Sequence, residues 1–445
     1  MAEHTETEYA RSGELSIAYR TVGDGLRDIL FIPGFASNVE LMPDIPFIAH
    51  NLDRLAALGR VVYFDKRGVG LSERSFGSRA AEDQLDDVLA VADASGIERA
   101  TVIGLSEGGP LALLFAAAHP DRVESLVLWS TTARILAAPD YPDGAQPEQV
   151  DELLAGVEER WGTGRALRFV VDLPSDEGTR RSLARYERQS ATPHGVAEVL
   201  RYNTSLDVRG VLESIHVPTL VVHRSGDHAM LPTWGRYLAQ HIEGARNVEL
   251  PGDWHVSGFV GRDDDLLDVI AEFVTGAPAA GESDIDRVLS TLLFTDIVDS
   301  TDLASSLGDR QWRAVLEQHD TITRREVERS RGVFVKNTGD GALATFDGPG
   351  RAVRAALALD SALAPLGLRL RAGVHTGEIE RRGDDVAGIA VHIGARLSAL
   401  AEPGEVLVSN TVKDLVLGSE IEFFDRGVHA LKGVPGEWQV WSASA

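Results

Sequence analysis

The sequence predicts two domains of mixed α and β structure in series, on three observations. Across residues 1–275, seven apolar runs alternate with helix-length segments, the pattern of an α/β sheet wrapped by helices on both faces. The stretch TGAPAAGESD at 275–284 has no apolar periodicity and is rich in Gly, Ala and Pro, so 276–284 reads as a linker. From 285 to 445, two aspartates, Asp296 in LLFTDIVDST and Asp340 in FVKNTGDGALATF, each stand just after a β-type run. At 445 residues the chain is long enough for each domain to bury its own core.

In the first domain the predicted strands are LSIAYR, DILFIP, RVVYFD, ATVIGL, ESLVLWS, PTLVVHR and NVEL. The fourth leads into ATVIGLSEGGPLALLFAAAHP, which sets Ser106 in a GxSxG between an apolar strand and an Ala-rich helix. Glycines at 104 and 108 permit a tight elbow that lifts the hydroxyl above the sheet edge. In a chain with 44 Gly a bare GxSxG carries little weight, and its placement between this strand and this helix gives it meaning.

With FDKRGVGLS after another strand, this stretch resembles the α/β-hydrolase family along nearly its whole length. The family order of nucleophile, acid and His implies a triad of Ser106, Asp227 in HRSGDHAMLP and His255 in LPGDWHVSGF. The oxyanion donors would be the backbone N–H groups of Glu107 and Phe35, with Pro33-Gly34 where many members carry His-Gly. The resemblance implies that residues from about 134 to 210 would form a helical cap that decides the ligand, a small ester or lipid-like molecule. Its Trp161, Phe169, Tyr186 and Tyr202 either line an apolar pocket or form the core of the cap. Asp65 reads as a structural hydrogen-bonding residue. A complete triad permits hydrolysis, while the same fold is also reused for binding.

In the second domain, two carboxylates converging at strand ends repel each other unless a cation joins them. Alone, either aspartate reads as a helix cap or a hairpin turn. Ser300 and Thr301 then open one long amphipathic run through Leu303, Leu307, Trp312, Val315, Leu316, His319 and Ile322. A helix N-terminus with free N–H groups beside the aspartates would cradle phosphate. Lysine usage adds a clue, because only four of the 43 Lys and Arg residues are lysines: Lys66, Lys336, Lys413 and Lys432. An ammonium is not interchangeable with a guanidinium where one hydrogen bond must reach one ring nitrogen or phosphate. Lys336 lies four residues before Asp340 and Lys432 lies in HALKGVPGEW, whereas Lys413 reads as a solvated helix residue.

Through FTDIVDST, VKNTGDG, LRAGVHTGE, DDVAGIAVHIGARL, GEVLVS and LKGVPGEWQVW, residues from about 287 to 443 resemble the catalytic domain of class III adenylate and guanylate cyclases. The resemblance implies an α+β, ferredoxin-like fold. It also implies two divalent ions per site, Mg²⁺ or Mn²⁺, held by Asp296, the carbonyl of Ile297 and Asp340. Lys336 and Asp385 would read the base, Arg396 would meet the transition state, and Lys432 would meet the leaving phosphates. His392 stands where the family usually has Asn; it either donates one hydrogen bond in that place or is an interface histidine without catalytic duty. A Lys donor and an Asp acceptor suit adenine, so the implied reaction converts ATP to cyclic AMP and pyrophosphate. One copy of each motif implies a homodimer through this domain, with each site drawn from two chains.

The net charge of −25 argues against nucleic acid and anionic membranes as partners. With no signal peptide and no apolar run of membrane-spanning length, the expectation is a cytoplasmic protein. Zero cysteines exclude disulfides and thiolate metal sites. The leading reading is an adenylate cyclase carrying an esterase or ligand-sensing domain. The alternatives are an esterase with a weak or regulatory cyclase module, and a sensor whose hydrolase fold has lost turnover.

Overall fold

The computed structural model describes residues 3–74, 81–173, 176–276, 287–382, 385–416 and 419–444. The expected linker at 276–284 lies, from 277 on, outside the described residues. The chain divides into two compact units, an N-terminal one of residues 1–79 and 83–283 and a C-terminal one of residues 284–445 with which 80–82 are grouped.

The N-terminal unit is built from β1 (Glu8–Ser12), β2 (Leu15–Val22), β3 (Asp28–Ile32), α1 (Pro46–Ala56), β4 (Arg60–Phe64), α2 (Ala81–Ala94), β5 (Ala100–Leu105), α3 (Gly109–Ala118) and β6 (Val123–Trp129). The cap segment follows with α4 (Pro147–Arg160), β7 (Val171–Asp172), α5 (Glu177–Ser190) and α6 (Pro193–Ser205). The unit closes with β8 (Thr219–Arg224), α7 (Pro232–His241), β9 (Arg246–Leu250), β10 (Val256–Ser257) and α8 (Asp264–Gly276). Its eight-stranded sheet runs β1-β2-β4-β3-β5-β6-β8-β9. Every neighbour from β4 to β9 is parallel, and β1-β2-β4 is antiparallel.

All seven predicted strands are present. Parallel strands covered on both faces bury consecutive residues, and β4, β5 and β8 are accordingly near-continuous apolar runs. Between β5 and β6, α3 is apolar all round and buried along nearly its whole length, as a central helix must be. Strand β1 went unread because EYARS is an edge strand with exposed charges; β7 and β10 are two-residue pairings. The cap is helical as expected, with Trp161 and Tyr202 in its core. Trp161 Nε1 donates to the Ala191 carbonyl at 2.8 Å, and Tyr186 Oη donates to Ala36 O at 3.2 Å. Asp65 is fully buried and holds loops together: it accepts from Ser37 Oγ at 2.6 Å and from the Leu71 and Val39 N–H groups at 2.9 and 3.1 Å.

The C-terminal unit comprises β11 (Arg287–Ile297), α9 (Ser300–Leu307), α10 (Asp309–Arg329), β12 (Val333–Asn337), β13 (Gly341–Phe346), α11 (Pro349–Leu363), β14 (Leu370–Arg382) and β15 (Asp385–Ala387). It continues with α12 (Ile389–Leu400), β16 (Val406–Ser409), α13 (Asn410–Leu415), β17 (Glu422–His429) and β18 (Trp438–Ser444). The mixed sheet runs β12-β13-β11-β14-β16-β18-β17, with β15 paired to β14. Among the described residues of this sheet, only the β14–β16 pair is parallel. Alternation along β11 feeds two cores: Leu293 packs with α11 residues on one face, and Leu292 and Phe294 with α12 on the other.

Three expectations need correction here. The long helix from Ser300 is two helices, because Gly308 adopts φ +74°, a left-handed backbone that ends α9. Asp296 is the last residue but one of β11 rather than a residue beyond it. Lys413 is not simply solvated: its Nζ sits 4.4 Å from the centre of the Trp441 ring, and three quarters of the side chain is covered. Among the described residues no helix is long and apolar enough to cross a membrane.

Candidate active sites

Ser106 sits at the end of β5 with φ +55°, a left-handed conformation costly for any residue but Gly and held only by its surroundings. Thr131 Oγ1 donates to the Ser106 carbonyl at 2.5 Å and ties the elbow to the end of β6. The flanking glycines are steric necessities. A Cβ on Gly104 would fall 2.7 Å from Ala112 Cβ, and one on Gly108 would fall 2.3 Å from the Ile32 carbonyl.

The loops after β8 and β9 bring in the other two residues. His255 Nε2 is 2.9 Å from Ser106 Oγ, and His255 Nδ1 is 2.7 Å from Asp227 Oδ2. Asp227 Oδ1 accepts from the Ala229 and Met230 N–H groups at 2.8 and 3.0 Å, which aims Oδ2 at the imidazole. Burial pushes the Asp227 carboxyl up, but the hydrogen bond and charge of His255, with those amides, outweigh it and hold it below the ordinary range. His223 beneath is kept neutral, its pKa lowered to about 4 chiefly by burial, and accepts from Thr131 N–H at 3.0 Å. The Ser106 hydroxyl also lies 2.7 Å from Glu107 Oε2, a contact not foreseen from the sequence. One signal was there to read, since Glu107 is the only Asp, Glu, Lys or Arg between Ala100 and Pro120.

Ser106 and His255 border a cavity of about 130 Å³ whose wall is otherwise mostly apolar, including Phe35, Met42, Leu52, Leu167, Val170 and Tyr186. The other side of His255 faces a polar cleft bearing Asp172, His228, Asp253 and Arg262. Of the four cap aromatics, Tyr186 lines the cavity, while Phe169 borders the cleft and stacks on Phe35 at 6.0 Å between ring centres.

In the C-terminal unit, Asp296 and Asp340 come together because Asp296 pairs in register with Gly341 across β11 and β13. Burial raises the Asp296 carboxyl most; Arg371 opposes, and the charge of Asp340 raises it further. Arg371, the cross-strand partner of Asp296 on β14, forms an ion pair with it, and Ser300 Oγ donates to Asp340. Arg371 was missed because only the strand register reveals it. Lys336 Nζ lies 2.6 Å from each carboxylate oxygen of Asp385, which holds that carboxyl below its usual range. His392 and Arg396 are exposed four residues apart on α12, and Arg396 Nε donates to the Lys432 carbonyl at 2.9 Å. Among the described residues, no hydrogen bond or ion pair joins Asp296 or Asp340 to Lys336, Asp385, His392, Arg396 or Lys432.

Residues 29–261 match the profile of the alpha/beta hydrolase fold, and residues 284–443 that of the adenylate and guanylate cyclase catalytic domain. The chain belongs to the α/β-hydrolase family and carries a class III cyclase domain. A pimeloyl-[acyl-carrier protein] methyl ester esterase of Neisseria meningitidis is 27% identical over 58% of this chain and 97% of its own. A putative adenylate cyclase 3 of Rhizobium meliloti is 32% identical over 36% of this chain, a match spanning 29% of that protein. An esterase structure from Exiguobacterium antarcticum superposes with a TM-score of 0.52 over 60% of this chain and 98% of its own, at 19% identity, which speaks to fold.

Class III cyclase domains generally use divalent metals. The donors on this one fit such an ion: two carboxylates whose charges oppose each other, beside the buried Ile297 at the end of β11, are hard oxygen ligands. Among the described residues no group of three or more His, Cys, Asp or Glu gathers, so phosphate or water oxygens would complete the coordination.

Proposed function

We propose that the C-terminal domain is an adenylate cyclase that converts ATP to cyclic AMP and pyrophosphate as a homodimer. The observation that carries this reading is the Lys336–Asp385 pair, 2.6 Å apart at both carboxylate oxygens. A Lys donor faces adenine N1 and an Asp acceptor takes the amino group, whereas guanine would ask for the reverse. Asp296, Asp340 and the Ile297 carbonyl hold Mg²⁺ or Mn²⁺. Such ions, when bound, favour ionisation of the ribose 3′-hydroxyl and neutralise phosphate charge. Arg371 keeps Asp296 oriented across the strands. Arg396 meets charge developing on the α-phosphate, where a fixed cation contributes most, and Lys432 binds the departing phosphates. His392 donates one hydrogen bond in the position beside Arg396. One copy of each motif, with no hydrogen bond joining the two residue sets among the described residues, supports assembly of each site from two copies.

The N-terminal domain, in this reading, is a serine esterase for a small apolar acyl group. His255 takes the Ser106 proton, Asp227 fixes its tautomer, and the Phe35 and Glu107 N–H groups receive the oxyanion. The supply of ATP sets the protein in the cytoplasm. The deciding experiment incubates the purified full chain with ATP or GTP and Mn²⁺ or Mg²⁺ and identifies the product by mass spectrometry. Cyclic AMP from ATP is expected; no cyclic nucleotide under any pairing would overturn the cyclase reading.

A further inference from the structure

The Ser106 hydroxyl has one proton and two acceptors. His255 Nε2 is 2.9 Å away and Glu107 Oε2 is 2.7 Å away. In acylation, Oγ bonds to the acyl carbon while its proton passes to Nε2 and the carbonyl π electrons move to oxygen. The tetrahedral species then collapses, and the leaving alkoxide takes the proton back from Nε2. A carboxylate at the hydroxyl opposes this sequence twice. It draws the proton away from the base, and it sets negative charge near the turn whose Phe35 N–H would receive the oxyanion. A Cβ on Gly34, in the turn that presents Phe35 N–H, would lie 3.4 Å from Ser106 Cβ and 3.5 Å from Glu107 Oε2. Negative charge there raises the barrier that oxyanion donors lower.

Glu107 is 8% exposed, and burying a carboxylate is costly unless an opposite charge or a hydrogen bond answers it. Lys66, itself 5% exposed and two residues past the end of β4, carries a charge that interacts with Glu107. Burial lowers the Lys66 ammonium to about 8, and the charge of Glu107 acts the other way. The Asp227–His255 pair already forms a complete base, so Glu107 adds nothing that the attack requires.

We propose that Glu107 is a brake on the nucleophile: its carboxylate competes with His255 for the Ser106 proton and holds the hydrolase site in a low-turnover resting state. The inference rests on the esterase reading of Ser106, His255 and Asp227. Its test uses the full-length protein and a fluorophosphonate, which reports nucleophile reactivity whatever the natural ester; Oγ bonds to phosphorus, fluoride leaves, and the proton goes to Nε2. The rate of the Ser106 adduct is followed by mass spectrometry in wild type, Glu107→Gln and Glu107→Met, with Ser106→Ala as blank. Gln preserves size and hydrogen bonding, so one variant remains readable if Met perturbs the fold. Labelling should accelerate about tenfold or more in Glu107→Met, the scale of one hydrogen bond to a charged group, and less in Glu107→Gln. An adduct formed in wild type as fast as in both variants, or faster, overturns the brake alone. No adduct in wild type or either variant overturns the esterase reading together with it.

Discussion

Lys336 on β12 and Asp385 on β15 are 49 residues apart in sequence and meet with the ammonium 2.6 Å from both carboxylate oxygens. About half of each side chain is exposed, so the pair adds little to stability in water. A fixed donor beside a fixed acceptor is instead what recognition of a planar base needs.

Exchanging Lys336→Glu and Asp385→Ser replaces a donor and acceptor by an acceptor and donor. Each mismatched contact in a closed pocket costs about 1–3 kcal/mol, so the ratio of GTP to ATP turnover should rise by tens-fold or more. Competition assays with both nucleotides check this, and an unchanged ratio would detach the pair from base reading.

Asp296→Asn and Arg396→Ala chains should each be inactive as cyclases. Mixed, they should regain activity, because one of the two sites in a hybrid dimer keeps every group. Failure after subunit exchange has been verified would sink assembly across two chains.

The Asp296 carboxyl is raised by burial and by the charge of Asp340, with Arg371 opposing. A carboxyl raised on folding binds its proton more tightly in the fold, so ionising it costs stability as pH rises through the folded value. A divalent ion needs the ionised form. Mn²⁺ affinity of the intact protein, read by titration calorimetry, should therefore climb from acid pH and level off once both carboxylates are ionised. Asp340→Asn should shift the Asp296 titration, followed by NMR, to lower pH; a fixed midpoint would separate the two residues.

Ser106→Ala should cut p-nitrophenyl ester turnover by orders of magnitude. Asp227→Asn, which keeps shape but disturbs the imidazole tautomer, should cost roughly three to four orders of magnitude in kcat. Wild-type chains silent on every acyl length would move the domain to the binding reading.

Much of this was legible because local sterics leave few choices. The elbow glycines at 104 and 108 touch backbone or Cβ atoms that cannot retreat, so GxSxG between a strand and a helix has few other meanings. Asp227 and His255 could be assigned because each follows a strand of a parallel sheet, where loops gather at one edge. Arg371 could not, since its bond to Asp296 depends on a register no local pattern encodes. The break at Gly308 hid behind apolar spacing that continues through α9 and α10. Glu107 was visible as an isolated charge, but its side-chain contact was not.

The scarcity of lysine turns four ammonium groups into a chemical footprint. Lys66 is buried, Lys413 is covered by Trp441, and Lys336 and Lys432 are exposed. An acylating reagent that marks primary amines, followed by cleavage at arginine, would give peptides in which almost every modified side chain belongs to a proposed site. Nucleotide that suppresses the mass shift at Lys336 or Lys432 would then report occupancy directly, without a radiolabel, an antibody or a fluorescent analogue.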